Sequence, residues 1–277
     1  MTLPDVLIEP AVRAALLEDL GRGGDATAAL MRSGETLSAR FSARSAGVVA
    51  GASAARIACR LVDDALVFKP RLKDGDAVKA GDVIASLDGP AASALTAERT
   101  ALNFLTHLSG VATATRAYVD AVAGTAARIA ATRKTLPGLR ALQKAAVVAG
   151  GGLPHRYGLD DAILIKDNHI AACGSVGEAL TRARAAAGHM RVIEVEVDSL
   201  AQLDEALTHA PHAVLLDNFS LADLRTAVSR AKGRTILEAS GGVTLATVRT
   251  IAETGVDIIS VGALTHSASA LDIGLDA

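Results

Sequence analysis

Residues 192–217 read VIEVEVDSLAQLDEALTHAPHAVLLD. An alternating β-branched run at 192–197 is followed by a helical pattern and then by a second apolar run at 213–217. Period-two alternation is typical of a strand, and apolar residues three and four apart are typical of an amphipathic helix. The stretch therefore predicts one β-α-β unit, whose two strands pair in parallel through a right-handed crossover.

The same unit recurs through the second half of the chain. Strands are predicted at 128–132, 162–166, 192–197, 213–217, 235–239 and 257–261. Ser175 and Ser220, each with an acidic residue three positions on, predict helix starts, and Gly188, Gly233 and Gly255 predict helix ends. Six successive units predict an α/β fold with a closed or nearly closed parallel barrel, and an open doubly wound sheet is the alternative.

The first hundred residues predict a separate small domain. Residues 37–50 and 66–87 are rich in strand-forming residues, with a helix over 52–61 between them. A long helix over 96–123 then leads to the barrel, and Arg99 is expected in its first turn.

Composition excludes several classes of protein. The chain has a net charge of -2, 50% hydrophobic residues, 2% aromatic residues and no tryptophan, which argues against a nucleic-acid partner. No apolar run reaches the roughly 18 residues of a membrane span, and no export signal is visible, so we expect a cytoplasmic protein without a membrane partner. The two cysteines and seven histidines lack metal-ligand spacing, which predicts no permanent metal.

The residues at the predicted strand ends indicate an active site, because barrels collect reactive groups at the carboxyl ends of their strands. In chain order these residues are Arg133 and Lys134, Lys166, Glu196, Asp217, Glu238 with Ser240, and Gly262. The three carboxylates recur at intervals of 21 residues and face a basic group, which predicts a divided site.

The basic half of this ring predicts a small dianionic ligand. Residues 133–166 contain six basic and two acidic side chains. Arg140 and Lys144 share one helix face, where we expect them in solvent. The candidate ligands for carboxylates are Arg133, Lys134, His155, Arg156 and Lys166, because guanidinium and ammonium groups bind carboxylates through charged hydrogen bonds.

The other half predicts a phosphate site. Ser240, Gly241 and Gly242 follow a strand and precede a helix expected to open at Thr244, and Gly262 follows the last strand, with His266 close behind. Glycines let backbone amides approach an anion, and barrels commonly bind phosphate after their last two strands. Glu196 and Asp217 would then suit ribose hydroxyls or a magnesium ion carried by pyrophosphate.

Several motifs together resemble one family. They are Glu98-Arg99-Thr100-Ala101-Leu102-Asn103, Thr132-Arg133-Lys134-Thr135, Gly150-Gly151-Gly152, His155-Arg156, Leu164-Ile165-Lys166-Asp167-Asn168-His169, Leu216-Asp217-Asn218, Glu238-Ala239-Ser240-Gly241-Gly242 and Ser260-Val261-Gly262. In this order they resemble the quinolinate phosphoribosyltransferases, also called nicotinate-nucleotide pyrophosphorylases (carboxylating). The resemblance covers nearly the whole chain.

The resemblance implies a small α/β sandwich of residues 1–109 and 268–277 and an incomplete, TIM-like parallel α/β barrel of residues 110–267. It implies conversion of quinolinate and phosphoribosyl pyrophosphate to nicotinate mononucleotide, pyrophosphate and CO2 in NAD biosynthesis, with Mg2+ brought by phosphoribosyl pyrophosphate near Glu196 and Asp217. It also implies a homodimer or higher homo-oligomer in which Arg99 reaches the partner's site. The implied catalytic residues are Lys134, Lys166, Glu196 and Asp217, and the implied substrate-binding residues are Arg99, Arg133, Lys134, His155, Arg156, Lys166, Glu196, Asp217, Ser240, Gly241, Gly242, Gly262 and His266.

Three positions depart from the family's usual pattern. Ala145 stands where tyrosine is common, Val148 where arginine is common and Pro154 where asparagine is common. Three alternatives remain at this point: a paralogous protein associated with molybdenum transport, a Schiff-base aldolase using Lys166, and a noncatalytic anion-binding protein.

Overall fold

The computed structural model describes residues 3–277. In chain order the elements are α1 (Asp5–Leu20), β1 (Thr36–Ala43), β2 (Gly47–Val48), α2 (Ala52–Val62), β3 (Val67–Pro70), β4 (Ala77–Val78), β5 (Val83–Pro90), α3 (Ala91–Ala121), β6 (Arg128–Ala130), α4 (Arg140–Ala149), β7 (Ile163–Ile165), α5 (Asp167–Cys173), α6 (Val176–Ala186), β8 (Ile193–Val197), α7 (Leu200–Thr208), β9 (Ala213–Asp217), α8 (Leu221–Ala231), β10 (Ile236–Ser240), α9 (Val248–Ala252), β11 (Ile258–Ser260), α10 (Ala263–His266) and β12 (Ile273–Asp276). A short 3-10 turn covers Ala28–Leu30. Within residues 3–277, every helix falls short of the length and apolar character that a membrane crossing requires.

Two compact units share the chain. The first contains residues up to 116, 135–151 and 263–277, and the second contains 117–134 and 152–262. The first unit thus combines both ends of the chain with a central segment that carries α4. The domain boundaries predicted from the sequence, at 109/110 and 267/268, stay a prediction.

The first unit is built on a four-stranded antiparallel sheet with strand order β12-β1-β5-β3. Along β1 the side chains alternate, so that Ala39 and Phe41 are buried while Ser38 and Arg40 are exposed. The ring of Phe41 lies 5.5 Å from that of Phe68 on β3, centroid to centroid. One face of the sheet therefore carries the core of this unit, and the other is polar, as predicted for a small α/β sandwich.

The second unit contains a six-stranded parallel sheet with strand order β6-β11-β10-β9-β8-β7. The order follows the chain from β7 to β11 and then returns to β6, and every neighbouring pair is parallel. Because β6 and β7 form the two edges, the barrel is incomplete. All six predicted strands are confirmed to within two residues at each end.

Helix caps explain why the barrel helices start where they do. The hydroxyls of Ser175, Ser199 and Ser220 each accept a hydrogen bond from the backbone N–H three residues on, as in a standard N-cap. The sequence indicated the caps at Ser175 and Ser220 in advance. Each cap turns the chain from a strand-end loop into the next helix, which leaves the carboxyl ends of the strands open for side chains.

Three local predictions were wrong. Helix α3 begins at Ala91, so Arg99 lies in its third turn. Helix α9 begins at Val248, because Thr244 N–H donates to the hydroxyl of Thr247 in a preceding turn. Lys144 is fully buried in α4, although its spacing with Arg140 predicted a solvated face.

Candidate active site at the carboxyl ends of the parallel strands

A pocket of about 590 Å³ lies in the second unit, at the carboxyl ends of its parallel strands. It is lined by Thr132, Arg133, Lys134, His155, Arg156, Leu164, Lys166, Glu196, Leu215, Asp217, Asn218, Glu238, Ser240, Gly241, Gly242 and Ser260. These residues come from all six strands or the loops that follow them, together with the loop before β7. The strand-end residues that the sequence placed in one ring, except Gly262, are therefore brought together around one cavity.

One wall of the pocket is cationic. It contains Arg133, Lys134, Arg156 and Lys166. Burial and the neighbouring charge of Arg133 both lower the pKa of Arg156, whereas Glu194 and Asp161 act in the opposite direction. Guanidinium groups keep their proton in proteins, so Arg133 and Arg156 repel each other here. A bound anion would remove this electrostatic cost.

Lys166 and Glu196 form an ion pair across neighbouring strands. The Nζ atom of Lys166 lies 2.5 Å from Oε2 of Glu196. The Lys166 backbone is held by His169, whose Nδ1 accepts the Lys166 N–H at 2.9 Å. His169 thus shapes the start of α5.

Asn218 and Gly241 form the base of the proposed phosphate region. Asn218 donates its side-chain amide to Asp217 Oδ2 at 2.8 Å and its backbone N–H to Ser240 O at 2.9 Å. Gly241 has a φ of 98°, and a Cβ there would overlap the Asn218 side chain and lie 3.0 Å from its backbone N. Glycine at 241 is therefore required both by the backbone conformation and by this close approach.

A buried cluster lies at the pocket floor. The Nε2 atom of His155 lies 3.5 Å from Oε2 of Glu194 and 3.4 Å from Oε1 of Glu238. The side chains are 14%, 10% and 3% exposed, respectively. The Nδ1 atom of His155 accepts the backbone N–H of Arg156 at 2.8 Å. Both ring nitrogens are thus engaged by the protein.

Protons in this cluster are strongly held. Burial alone would lower the pKa of His155, but the carboxylates of Glu194 and Glu238 outweigh it and raise the pKa to about 9. Burial also raises the pKa of Glu194, against the opposing effect of His155. Since Nδ1 accepts a hydrogen bond, the ring proton lies on Nε2, which faces both carboxylates.

Three of the predicted site residues do not line this pocket. Arg99 and His266 belong to the first compact unit, in α3 and α10, and Gly262 follows β11 directly. Their predicted roles stay predictions. The other ten predicted substrate-binding residues all line the pocket.

The sequence interpretation overlooked Glu194, placed Glu238 in the ring of strand-end residues without giving it a role, and gave Ser260 no role. Glu194 and Glu196 are two positions apart on β8, so they share a face of the strand. The alternation in VIEVEV therefore contained the signal for Glu194. Ser260 is 3% exposed and its hydroxyl has no hydrogen-bond partner.

Comparison with known proteins identifies the family. The model of the quinolinate phosphoribosyl transferase N-terminal domain matches residues 25–109, and that of the C-terminal domain matches residues 111–276. The chain belongs to the quinolinate phosphoribosyltransferase family. This family assignment confirms the resemblance found in the sequence.

Relatives within the quinolinate phosphoribosyltransferase family match over most of their length. The chain is 49% identical to the nicotinate-nucleotide pyrophosphorylase [carboxylating] of Mycobacterium leprae, covering 96% of this chain and 95% of that protein. It is 45% identical to a probable nicotinate-nucleotide pyrophosphorylase [carboxylating] of Bacillus subtilis, covering 94% and 90%. The solved nicotinate-nucleotide pyrophosphorylase of Francisella tularensis has a TM-score of 0.95 at 39% identity, covering 99% and 97%.

Proposed function

We propose that this protein is a quinolinate phosphoribosyltransferase, which converts quinolinate and phosphoribosyl pyrophosphate to nicotinate mononucleotide, pyrophosphate and CO2 in NAD biosynthesis. The observation that carries the proposal is the composition of the pocket, in which four cationic side chains, three carboxylates and a glycine-rich loop line one cavity. This combination matches a substrate with two carboxylates and a second substrate with ribose and phosphates.

Quinolinate would bind in the cationic part. Arg133, Arg156, Lys166 and Lys134 supply the charged donors, and guanidinium forks bind carboxylates through paired hydrogen bonds. Lys166 is already paired with the carboxylate of Glu196, at 2.5 Å. Lys166 therefore suits anion binding better than the Schiff-base chemistry of an aldolase.

Phosphoribosyl pyrophosphate would bind at the opposite part. Ser240, Gly241 and Gly242 line the pocket at the end of β10, and Asp217 lies at the end of the neighbouring strand. Backbone amides in glycine-rich loops bind phosphate oxygens. Glu196 and Asp217 would face the ribose, whose anomeric carbon becomes positively charged as pyrophosphate leaves.

The reaction then needs orientation and fixed charges more than a protein nucleophile. The quinolinate ring nitrogen forms a bond to the anomeric carbon while the bond from that carbon to pyrophosphate breaks. The adjacent carboxylate leaves as CO2, and the electron pair stays on the ring carbon next to the cationic nitrogen. A proton then replaces the lost carboxylate.

Magnesium, oligomeric state and location are part of the proposal. Carboxylate oxygens are the type of donor that magnesium prefers, and Glu196 and Asp217 offer them in the phosphate part of the pocket. We propose a homodimer or higher homo-oligomer in the cytoplasm, with Arg99 reaching the site of the partner subunit. The family resemblance supports the shared site.

Release of CO2 from carboxyl-labelled quinolinate tests the proposal. Release should require both phosphoribosyl pyrophosphate and magnesium. Release without phosphoribosyl pyrophosphate would indicate a simple decarboxylase, and no release by folded protein would contradict the assignment. Trapping of Lys166 by borohydride in the presence of a carbonyl substrate would support the aldolase alternative.

A further inference from the structure

The His155–Glu194–Glu238 cluster has features that packing alone does not explain. Glu194 and Glu238 are both buried. Oε1 of Glu194 has no hydrogen-bond partner, and Oε1 of Glu238 faces Nε2 of His155 at 3.4 Å without hydrogen-bond geometry. Burying charged groups is expensive, and apolar side chains of similar volume are usually at least as stabilising. The cost of burying these two glutamates therefore indicates that they serve a function other than packing.

Each of the two glutamates has an apolar register partner on a neighbouring strand. Leu164 on β7 is the register partner of Glu194, and Leu215 on β9 is the register partner of Glu238. Both leucines line the pocket. Glu194 and Glu238 lie at different register positions, since Leu215 pairs with Glu196 on β8, yet both face the same imidazole ring.

The ring belongs to the loop between α4 and β7. Leu153 pairs with β6 through its backbone, and the N–H groups of Tyr157 and Gly158 donate to Asp161. His155 lies between these two attachments with a φ of 54°, a left-handed conformation that is unfavourable for residues other than glycine. Its ring holds the loop against β8 and β10.

The loop carries a group that the proposed reaction needs. Arg156 donates its backbone N–H to the His155 ring at 2.8 Å and its guanidinium to Ala162 O at 3.3 Å. The position of the ring therefore determines where the Arg156 backbone lies, and so where its guanidinium enters the cationic wall.

We propose that Glu194 and Glu238 are positioning residues for quinolinate: through the ring of His155 they fix the loop that places Arg156 in the pocket. The substrate named in this inference rests on the proposed function. The mechanical part, that the two glutamates fix the loop through the ring of His155, does not. The charged and titratable groups facing the ring are Glu194 from β8, Glu238 from β10 and Arg156 from its own loop, with Arg133 beside Arg156. The strongly held proton in the cluster agrees with a ring clamped between two carboxylates.

Hydrogen exchange of the full-length protein tests the mechanical part. Glu194→Gln and Glu238→Gln keep the shape of the side chain but remove its charge, and one carboxylate still remains opposite the ring. We expect the Arg156 amide to exchange at least tenfold faster in both variants, with β8 and β10 amides unchanged. Asp257→Asn is the matched control, because Asp257 accepts Leu237 N–H at 2.8 Å at the opposite end of β10. Equal exchange in wild type and both glutamine variants would overturn the inference.

Kinetics test the functional part if the wild type converts quinolinate. Both glutamine variants should raise KM for quinolinate at least tenfold and change KM for phosphoribosyl pyrophosphate less than twofold. In a His155→Ala background, the same substitutions should have little further effect, because they act through that ring. Additive losses, or an unchanged quinolinate KM, would overturn the inference. A stoichiometric transition metal, lost from Glu238→Gln, would instead assign the cluster to metal binding and also overturn it. An inactive wild type would contradict the proposed function, and the exchange experiment alone would then decide.

Discussion

The ammonium of Lys166 lies 2.5 Å from the carboxylate of Glu196, which joins the two parts of the pocket in one ion pair. The proposed function assigns Lys166 to the dicarboxylate and Glu196 to the ribose. Within this pair each group neutralises the charge of the other. Binding of a dianion beside Lys166 would weaken this pair and release Glu196 toward the second substrate.

Breaking this pair should affect activity far more than stability. The Lys166 side chain is 46% exposed, and ion pairs with that exposure contribute at most about 1 kcal/mol. We expect Lys166→Met to change the free energy of unfolding by less than about 1 kcal/mol and to lower kcat/KM for quinolinate by roughly 100-fold. Arg182→Met, which breaks an exposed pair with Glu178, is the control for denaturant titration and steady-state kinetics. A loss of stability without loss of activity would contradict the role of Lys166.

Gly241 and Gly242 offer a matched pair of substitutions. Both have positive φ, 98° and 57°, but only a Cβ at 241 would meet another residue, Asn218. Gly242→Ala should cost about 1 kcal/mol for its backbone conformation, and Gly241→Ala should cost about 1–3 kcal/mol more because Asn218 must move. Thermal unfolding and phosphoribosyl pyrophosphate binding by calorimetry measure both effects. Equal costs would mean that the approach of Asn218 is unimportant.

The His155 cluster predicts a pH-dependent contribution to stability. The pKa of His155 is raised from 6.5 to about 9 in the folded protein. Its contribution should therefore be complete below pH 6.5 and disappear as the pH rises through 9. The difference in unfolding free energy between wild type and His155→Gln should shrink by on the order of 2–3 kcal/mol between pH 6 and 10. A difference that is constant over this range would show that the cluster retains no extra proton.

Mixed dimers test the proposed shared site. Arg99→Ala and Lys166→Ala should each be nearly inactive on its own. A heterodimer of the two would have one site with both substitutions and one with neither, so random reassembly should restore roughly one quarter of wild-type activity. Subunit exchange is verified by mass spectrometry of differently tagged chains. Exchange without recovery of activity would place Arg99 in its own subunit's site or outside it.

Local sequence signals predicted most of the barrel. Period-two runs located its strands, and the serines at 175 and 220 located two helix starts, because these signals depend only on nearby residues. The buried state of Lys144 was not predictable, since it depends on packing of distant segments in the first unit. The start of α9 was missed because Thr247 captures the Thr244 N–H in a turn.

The charged residues of the site at the strand ends were predictable from the sequence, whereas its buried residues were not. Strand-end position sufficed for Lys166, Glu196 and Asp217, which all line the pocket. Glu194 lies one layer deeper, and its relation to His155 spans a loop and two strands. The number of residues between Glu194 and His155 in the sequence does not show how close their side chains lie in the folded protein.

Mass detection of nicotinate mononucleotide tests the central claim most directly. Folded protein is incubated with quinolinate, phosphoribosyl pyrophosphate and magnesium, and nicotinate replaces quinolinate in a parallel reaction. We predict one nicotinate mononucleotide and one pyrophosphate for each CO2 released from quinolinate. Nicotinate should react roughly 100-fold more slowly or less, since it leaves part of the cationic wall unpaired. Absence of the nucleotide, or comparable turnover of nicotinate, would contradict the account.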